Sequence, residues 1–344
     1  MPPPTFDAQR VRRSLFGALL EAAREHGSAK EMVVDADGQT LTYRRLIQAS
    51  MVLGAKLASL SPQGYPAGVM LPNASGAVVT LMGLSAYGRT SAMLNFTAGH
   101  RNLASAVKTG PIRTIFTSRR FIETAKLEDV VQHLAKVEPV PGKPVRIVYL
   151  EDVRAGIGTL AKLAGAAKAL VAGFVHRRHA LAPDKPGVIL FTSGTEGAPK
   201  GVVLSNANLV ANARQILAHA GTMLTPDDIV LNPLPMFHSF GLTAATLMPL
   251  LGGMKVVLYP SPLHYKQVTK SAGQSKATVL FATDTFLQGY ARAAEAGDLD
   301  SIRYVIAGAE RVKEQTRAMW GKIGAVILEG YGATECSPVI ACNL

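Results

Sequence analysis

The stretch G-V-I-L-F at residues 187–191, followed by T-S-G-T-E-G-A-P-K-G at residues 192–201, carries the strongest structural signal in the chain. The first five residues are apolar and predict a buried strand, whereas the next ten combine hydroxyl side chains, glycines and one lysine. Glycine lets backbone N–H groups approach an anion, hydroxyls add donors and lysine adds charge, so this loop suits a polyphosphate. It differs from a Walker P-loop because Gly201 follows Lys200, and the next helix is expected only from Ser205.

The composition is that of a globular protein with room for more than one core. The chain has 344 residues, of which 48% are hydrophobic and 17% charged. Its two cysteines, Cys336 and Cys342, form neither a disulfide framework nor a metal-ligand set, so we expect free thiols and a cytoplasmic location. No signal-peptide pattern is seen at the start, and the longest apolar segment, 164–175, is shorter than the roughly 20 residues that span a membrane.

The net charge of +12 favours acidic partners. Nucleotides, coenzyme A, an acidic carrier protein and an anionic membrane surface all satisfy this condition. Nucleic acid is not expected, because the basic pairs are scattered and are not interleaved with aromatic residues. Taken alone, each basic pair is most simply a solvated surface. The pairs lie at residues 12–13, 44–45, 119–120 and 177–178.

Strand and helix patterns alternate along the chain, which predicts an α/β fold with mostly parallel sheets. A hairpin is expected at 32–42, followed by a helix that Thr42 caps. The further strands are expected at 68–71, 91–95, 114–117, 145–150, 187–191, 229–232, 255–258, 278–281, 304–307 and 325–328.

We divide the chain into a first α/β subdomain at 1–150, a connection at 151–186 and a second α/β subdomain at 187–344. Apolar residues recur at helical spacing from Leu160 to Phe174 and are followed by a basic cluster at 176–179. This pattern predicts an amphipathic helix. We favour a helix that bridges the two subdomains, and the alternative is a helix that lies on a membrane surface.

Four short blocks each follow a predicted strand, where open α/β sheets bind their ligands. They are T-S-G-T-E-G-A-P-K-G (192–201), P-M-F-H-S-F-G (235–241), A-G-A-E (307–310) and Y-G-A-T-E (331–335). In this order and at these spacings they resemble the adenylate-forming superfamily of acyl-CoA synthetases, luciferases and peptide-synthetase adenylation domains, over nearly the whole chain. One branch looks most similar, the acyl–acyl carrier protein synthetase part of bacterial 2-acylglycerophosphoethanolamine acyltransferases. The stretches that resemble it lie at 93–99, 259–265, 285–292 and 327–339.

The resemblance implies activation of a long-chain fatty acid with ATP and Mg²⁺ as cofactors. The fatty carboxylate would attack the α-phosphorus of ATP, and a thiol would then displace AMP from the acyl-adenylate. The expected acceptor is acyl carrier protein, for lysophospholipid reacylation; the alternatives are a long-chain acyl-CoA ligase and a non-catalytic fragment that binds nucleotide or fatty acid. The superfamily continues with a small C-terminal domain that would lie beyond Leu344, so we expect this chain to be weakly active or inactive alone.

The resemblance also implies roles for individual residues at the nucleotide site. Lys200, Thr334 and Glu335 are the expected catalytic residues. Thr334 matches the position that contacts the α-phosphate, and Glu335 matches the Mg²⁺ ligand, a role that suits a hard oxygen donor. Tyr331 and Gly332 match the platform against adenine. The positions that match the loop for the β- and γ-phosphates are Thr192, Ser193, Gly194, Thr195, Gly197 and Lys200.

A second group of positions matches the acyl side of the superfamily's site. The expected substrate-pocket residues are Phe237, His238, Phe240 and Gly241. The expected floor between the acyl and adenine sites is Gly308, Ala309 and Glu310. A lone histidine between aromatic residues is more often packed than catalytic, so we expect His238 to line and orient the pocket and not to act as a general base.

The sequence from His179 to Asp184 has the H-x4-D spacing of glycerolipid acyltransferases, in which the aspartate orients the histidine as a base. Pro183 interrupts a helical turn at this point, and the companion glycine-arginine motif for lipid phosphate is not found. We therefore expect the spacing to be coincidental.

Overall fold

The computed structural model of the chain describes residues 5–193 and 199–343. The strands are, in chain order, β1 (Glu31–Val34), β2 (Thr40–Thr42), β3 (Ala67–Val69), β4 (Ser91–Met93), β5 (Thr114–Thr117), β6 (Arg146–Tyr149), β7 (Pro186–Ser193), β8 (Pro199–Ser205), β9 (Ile229–Asn232), β10 (Lys255–Leu258), β11 (Val279–Ala282), β12 (Tyr304–Ala307), β13 (Val326–Gly332) and β14 (Val339–Cys342).

The α-helices are α1 (Leu15–His26), α2 (Tyr43–Leu60), α3 (Ser75–Ala86), α4 (His100–Thr109), α5 (Arg119–Ala125), α6 (Glu128–Ala135), α7 (Leu150–Ala155), α8 (Thr159–Leu170), α9 (Ala172–Arg177), α10 (Asn206–Ala220), α11 (Met248–Gly252), α12 (Tyr265–Ser275), α13 (Asp284–Ala293) and α14 (Glu314–Ile323). A π-helix at Phe240–Leu247 and a 3₁₀ turn at Thr334–Cys336 complete the elements.

The strands of the described residues form two sheets. One has eight strands in the order β14-β13-β12-β11-β9-β10-β1-β2, and the other has six in the order β6-β5-β3-β4-β7-β8. Neighbours are parallel except in the pairs β1–β2, β7–β8 and β13–β14, which lie at sheet edges. Parallel strands need crossover connections, and here helices that cover the sheet faces supply them. The predicted α/β class with mostly parallel sheets is therefore confirmed.

Both sheets take strands from distant parts of the chain. Strand β1 of the hairpin pairs with β10, with Val33 opposite Val256, and β7 pairs with β4. The division at residues 150 and 186 therefore does not coincide with sheet membership, and it stays a prediction. The largest hydrophobic cluster unites helices α1, α2 and α3 with α10, α11 and the π-helix, so one core joins the two sheets.

Most expected strands lie where the apolar runs predict them. The strands at 114–117, 229–232, 255–258 and 304–307 have the predicted bounds. The hairpin at 32–42 is also present, and the Thr42 hydroxyl accepts a hydrogen bond of 3.2 Å from the Arg45 backbone N–H at the start of α2. Side-chain caps of this kind satisfy one of the otherwise unpaired donors of a first helical turn.

Strand β8 was not expected. The block 192–201 predicts a loop that continues to a helix, yet residues from Pro199 onward pair antiparallel with β7. Proline and glycine argue against a strand in sequence, but an edge strand tolerates proline as its first residue. Helix α10 then begins next to Ser205, as predicted, and the Ser205 hydroxyl caps it by accepting from the Asn208 N–H at 3.1 Å.

The structure differs from the expected continuous helix at 160–174 in two respects, and the role of this helix as a bridge between two subdomains stays a prediction. The helix is interrupted at Val171, whose φ of −116° and ψ of 29° end α8 before α9 begins. Its large apolar side chains also point to solvent, with 84% of Leu160 and 88% of Leu170 exposed, while Gly165 packs against α2. The periodicity is present, but it identifies an exposed face and not a buried one.

Candidate functional site

A cavity of about 910 Å³ lies where strands of both sheets end. Its lining comes from segments that follow the C-terminal ends of β3, β4, β5, β9, β10, β11 and β12, and from the end of β13 with the turn after it. This is the edge at which parallel α/β sheets bind ligands. All four predicted substrate-pocket residues, Phe237, His238, Phe240 and Gly241, line this cavity.

One wall of the cavity is a continuous row of aromatic rings. The ring centroid of Phe96 lies 4.8 Å from that of Phe121 and 4.9 Å from that of Phe237, with both pairs edge to face. Phe237 in turn lies 4.7 Å from the His238 ring. Phe96 and Phe121 follow strands of the six-stranded sheet, and Phe237 follows a strand of the other sheet. The wall therefore joins the two sheets and presents an apolar surface to a ligand.

Asn232 holds the segment that carries the pocket residues. Its side chain is fully buried at the end of β9 and donates to the Gly241 carbonyl at 3.1 Å and to the Thr246 hydroxyl at 2.9 Å. Its side-chain oxygen accepts from the Leu234 backbone N–H at 2.9 Å. These bonds connect the end of the strand to the start of the π-helix. Wide helical turns of this kind are frequent at functional sites.

His238 lies in a position where a neutral imidazole is favoured. Burial lowers the pKa of His238. The ring borders the large cavity and also a second one of about 320 Å³, so it lies where the two meet. The His238 side chain is accessible from these cavities, and a neutral ring can line and orient a ligand without placing a fixed positive charge beside it.

The last residues of β13 and the turn after it form the polar end of the large cavity. Tyr331, Gly332 and Thr334 all line it, and Tyr331 is 71% exposed. The hydroxyl of Ser239 donates to that of Thr334 at 3.4 Å, so the turn is linked to the segment carrying His238. Two blocks nearly one hundred residues apart in sequence are therefore adjacent.

Gly332 is required by its own turn. A Cβ at this position would collide with the carbonyl oxygen of Pro338, which accepts a 3.0 Å hydrogen bond from Ala333 N–H. The expected reason for this glycine, close approach of adenine, stays a prediction. The structure supplies a different reason for the residue, since any side chain would displace the backbone of the turn.

The predicted floor residues separate into two groups. Gly308 and Ala309 line the cavity, and Ala309 has a φ of 70°, which is unusual for a residue other than glycine. Glu310 does not line it. Its carboxylate accepts from the Thr285 N–H at 3.2 Å and hydroxyl at 3.0 Å, and hydrogen bonds from Thr283 and Thr285 lower its pKa. This carboxylate binds the start of α13, and its assignment to cofactor binding stays a prediction.

The ends of the predicted phosphate loop line the smaller cavity. Thr192 and Ser193 lie at the end of β7, and Pro199 faces them at the start of β8. Lys200 is exposed and is paired in register with Thr192, and β8 contacts the 3₁₀ turn at Thr334–Cys336. The lysine strand therefore adjoins the turn that carries Glu335. The other predicted loop residues, Gly194, Thr195 and Gly197, lie outside the described residues.

Glu335 is the predicted metal ligand. It is exposed on the 3₁₀ turn, and no ion pair to it is found in the described part of the chain. No group of three or more histidine, cysteine, aspartate or glutamate side chains within the described ranges could hold a metal ion. A Mg²⁺ ion at Glu335 would therefore need phosphate and water oxygens as its other ligands, which suits this ion's preference for substrate phosphates.

Several lining residues were not predicted. Pro260 to His264 follow β10, Phe286 lies on α13, and Phe96 and Phe121 build the aromatic wall. The segments at 93–99, 259–265 and 285–292 resemble one branch of a family, but that resemblance assigns them no place at the site. Most of these lining residues come directly after predicted strands, and this position in the sequence is enough to predict that they lie at the ligand-binding edge of the sheets.

The H-x4-D spacing does not form a catalytic pair. Asp184 accepts a hydrogen bond of 2.6 Å from the Arg12 guanidinium, and both side chains are exposed. The His179 ring packs against Tyr87, with centroids 5.2 Å apart. The two residues therefore have separate structural partners, as expected for a coincidence of sequence.

Comparison with known proteins adds family evidence to this geometry. The AMP-binding enzyme family profile matches residues 19–344. The chain belongs to the AMP-binding enzyme family. This AMP-binding chain is 30% identical over 167 residues to a long-chain-fatty-acid–CoA ligase of Escherichia coli O6:H1, covering 47% of the chain and 30% of the relative. It is also 26% identical over 342 residues to 4-coumarate–CoA ligase 1 of Arabidopsis thaliana, covering 96% of the chain and 59% of the relative.

The AMP-binding fold is also seen in solved structures. The N-terminal domain of FACL13 from Mycobacterium tuberculosis superposes with a TM-score of 0.75 at 18% identity, covering 94% of this chain and 77% of that one. The anthranilate CoA ligase AuaEII, in complex with anthranoyl-AMP, gives a TM-score of 0.78 at 16% identity, covering 98% and 63%. At these identities the likeness establishes the fold. The matches span 30% to 59% of the curated relatives named above.

Two features bear on the environment of this AMP-binding chain. Within the described residues, no helix combines the length and the apolar character needed to cross a bilayer. Cys336 is exposed and Cys342 is partly buried, and both are free thiols, as the sequence predicts.

Proposed function

We propose that this chain forms the site at which ATP and a long-chain fatty acid bind and are joined as an acyl-adenylate. The observation that carries the proposal is the cavity of about 910 Å³, in which the aromatic wall meets the turn at 331–334. An apolar pocket that ends at hydroxyl and backbone groups suits a ligand with a long apolar tail and an anionic head. Membership of the AMP-binding family and the fatty-acid ligase relatives support this reaction class.

In the proposed reaction, a fatty carboxylate oxygen attacks the α-phosphorus of ATP, the bond to the bridging oxygen breaks and pyrophosphate leaves. The wall around Phe237 holds the acyl chain, and neutral His238 borders the carboxylate. The Thr334 hydroxyl donates to the α-phosphate, and Lys200 binds the departing phosphates. Mg²⁺ bound through Glu335 would screen the phosphate charge. The acyl-adenylate then reacts with a thiol, which forms a thioester and releases AMP.

For the thiol we propose acyl carrier protein, in a route to lysophospholipid reacylation. The support is the resemblance of 327–339 and related stretches to one branch, and the net charge of +12, which suits an acidic carrier. Coenzyme A is the second candidate, favoured by the names of the curated relatives. Both acceptors fit the reducing cytoplasm that the free cysteines suit.

The two acceptors are separated by thioester formation from acyl-adenylate in the presence of this chain. At equal concentrations of the two thiols, we expect the carrier-protein thioester to form faster. A faster reaction with coenzyme A would exclude the carrier-protein assignment and leave acyl-adenylate formation intact.

Calorimetry with Mg-ATP tests the nucleotide site. We expect Lys200→Ala and Glu335→Ala each to weaken binding about tenfold or more, because each removes a charged group from the phosphates or their ion. Long-chain fatty acid should bind both variants as it binds the unaltered chain. Matched controls are Lys322→Ala and Glu314→Ala on α14, which remove the same charges from exposed positions. Equal Mg-ATP affinity in all five proteins would contradict the proposed roles.

A further inference from the structure

Helix α8 packs against its neighbour through a glycine and has its large apolar residues outward. Gly165 is buried against Val52 of α2, whereas Leu160, Leu163 and Leu170 are 84%, 63% and 88% exposed. A helix on the surface of a globular domain normally has the reverse arrangement, since burying a leucine side chain stabilises the fold. Five of the eleven exposed large hydrophobic residues in the described ranges lie between 160 and 174. This concentration indicates a surface that contacts another apolar phase.

The segment that carries this apolar face is rich in exposed basic side chains. No aspartate or glutamate occurs from residue 153 to residue 183, a stretch that contains five lysines and arginines, all of them exposed. They are Arg154, Lys162, Lys168, Arg177 and Arg178. Apolar residues flanked by uncompensated positive charge are typical of helices that lie in the interface of an anionic bilayer.

The aromatic residue at the end of the face has two arginines beside it. Phe174 of α9 is 51% exposed, and the guanidinium carbon of Arg178 lies 4.4 Å from its ring centroid, with that of Arg177 at 6.0 Å. The ring is therefore available to the acyl region of a membrane while the guanidinium groups remain at the level of the headgroups.

We propose that α8 and α9 form a docking surface for an anionic lipid bilayer, with the helices lying in the interface and not crossing it. The charge of the surface argues against a second copy of this chain, because two such faces would repel each other. None of the five large apolar residues or five basic residues lines the cavity of about 910 Å³, so the surface is separate from the candidate active site.

Vesicle binding by the 344-residue chain tests this surface. We expect binding to phosphatidylcholine vesicles that contain phosphatidylglycerol, and about tenfold weaker binding without it. Both Leu163→Ser/Leu170→Ser and Arg177→Gln/Arg178→Gln should lower the partition onto anionic vesicles about tenfold or more. All four positions are exposed, so far-UV circular dichroism and thermal unfolding should remain unchanged.

The controls remove the same kinds of side chain elsewhere on the surface. Val326→Ser removes an apolar residue that is 52% exposed, and Arg44→Gln/Arg45→Gln removes an equal charge from α2. Both should bind as the unaltered chain does. The proposal would be overturned if the serine and glutamine variants of the docking surface bound vesicles as well as these controls do. So would serine variants that change self-association or carrier-protein binding but leave vesicle binding intact.

Insertion can be measured directly because the chain has one tryptophan, Trp320, which is fully buried. In Leu170→Trp, anionic vesicles should shift the emission of the added tryptophan to shorter wavelength, and brominated lipid should quench it. Val326→Trp should show neither effect. Vesicle binding without a shift in Leu170→Trp would also overturn the proposal, because it would place the helix outside the apolar phase.

Discussion

His176 shows how one buried side chain joins three helices. Its Nδ1 lies 2.8 Å from the Ala86 carbonyl oxygen, which can only accept, so Nδ1 carries the proton and donates. Its Nε2 accordingly accepts from the Ser14 hydroxyl at 2.5 Å, and that oxygen accepts from the Gly17 N–H at 3.1 Å. The neutral ring thus connects α9 to the end of α3 and to the cap of α1.

The pKa of His176 predicts a loss of stability in acid. Burial lowers this pKa below its ordinary value. The unfolded chain therefore binds a proton that the folded chain excludes as the pH falls below about 6.5, and folded-state stability decreases. We expect His176→Gln to reduce the difference in unfolding free energy between about pH 7.5 and about pH 5.5 by about 1 kcal/mol. Urea denaturation at the two pH values measures it, and an unchanged difference in the variant would contradict the assignment.

Gly332 predicts a steric effect at the candidate site. Gly332→Ala should cost about 1–3 kcal/mol, because its Cβ would displace the Pro338 carbonyl from the turn. Gly321→Ala on α14 is the matched control, since no atom from outside the local helix backbone lies within 4 Å of its added Cβ and alanine favours a helix. Thermal unfolding should show the first variant destabilised and the second neutral or stabilised. Equal stability would mean that the turn readily rearranges.

At the scale of elements, Asn232 makes the π-helix dependent on the end of β9. Asn232→Ala removes the acceptor of the Leu234 N–H and one of the donors to the Gly241 carbonyl, both inside the protein. We expect this change to lower the free energy of unfolding by about 2–4 kcal/mol. Asn102→Ala, at an exposed position on α4, should change stability by less than about 0.5 kcal/mol. Chemical denaturation compares them. A loss below about 1 kcal/mol for Asn232→Ala would exclude its proposed role in holding the segment.

The elements also show where local patterns succeed and fail. Continuous apolar runs located β9, β10 and β12 because buried parallel strands are apolar on both faces. Strand β8 was not predicted, because Pro199 and Gly201 disfavour strands in the sequence. Its pairing with β7, which compensates for these two residues, exists only in the folded chain. The helical period of 160–174 was visible, but periodicity does not say whether the apolar face is covered.

At the scale of the whole molecule, the eight-stranded sheet depends on the N-terminal hairpin. Strand β1 pairs with β10, and α1 contacts α10 and α11. A fragment of residues 187–344 would lack both, and would leave β7 without β4. We expect this fragment to unfold without cooperativity in urea and to lack a near-ultraviolet circular dichroism signal. The 344-residue chain should unfold cooperatively and show that signal. A cooperative transition in the fragment would support the division predicted at residue 186.

The sequence by itself determined the fold class, most strand positions and the residue types of the candidate site. These depend on local apolar runs and on the chemistry of short blocks, which neighbouring residues in the chain already define. Only the tertiary structure decided which strands share a sheet, that Ser239 contacts Thr334, and that α8 leaves its leucines exposed. The reason is that strand pairing and burial depend on contacts between residues far apart in sequence, whose energies no local pattern contains.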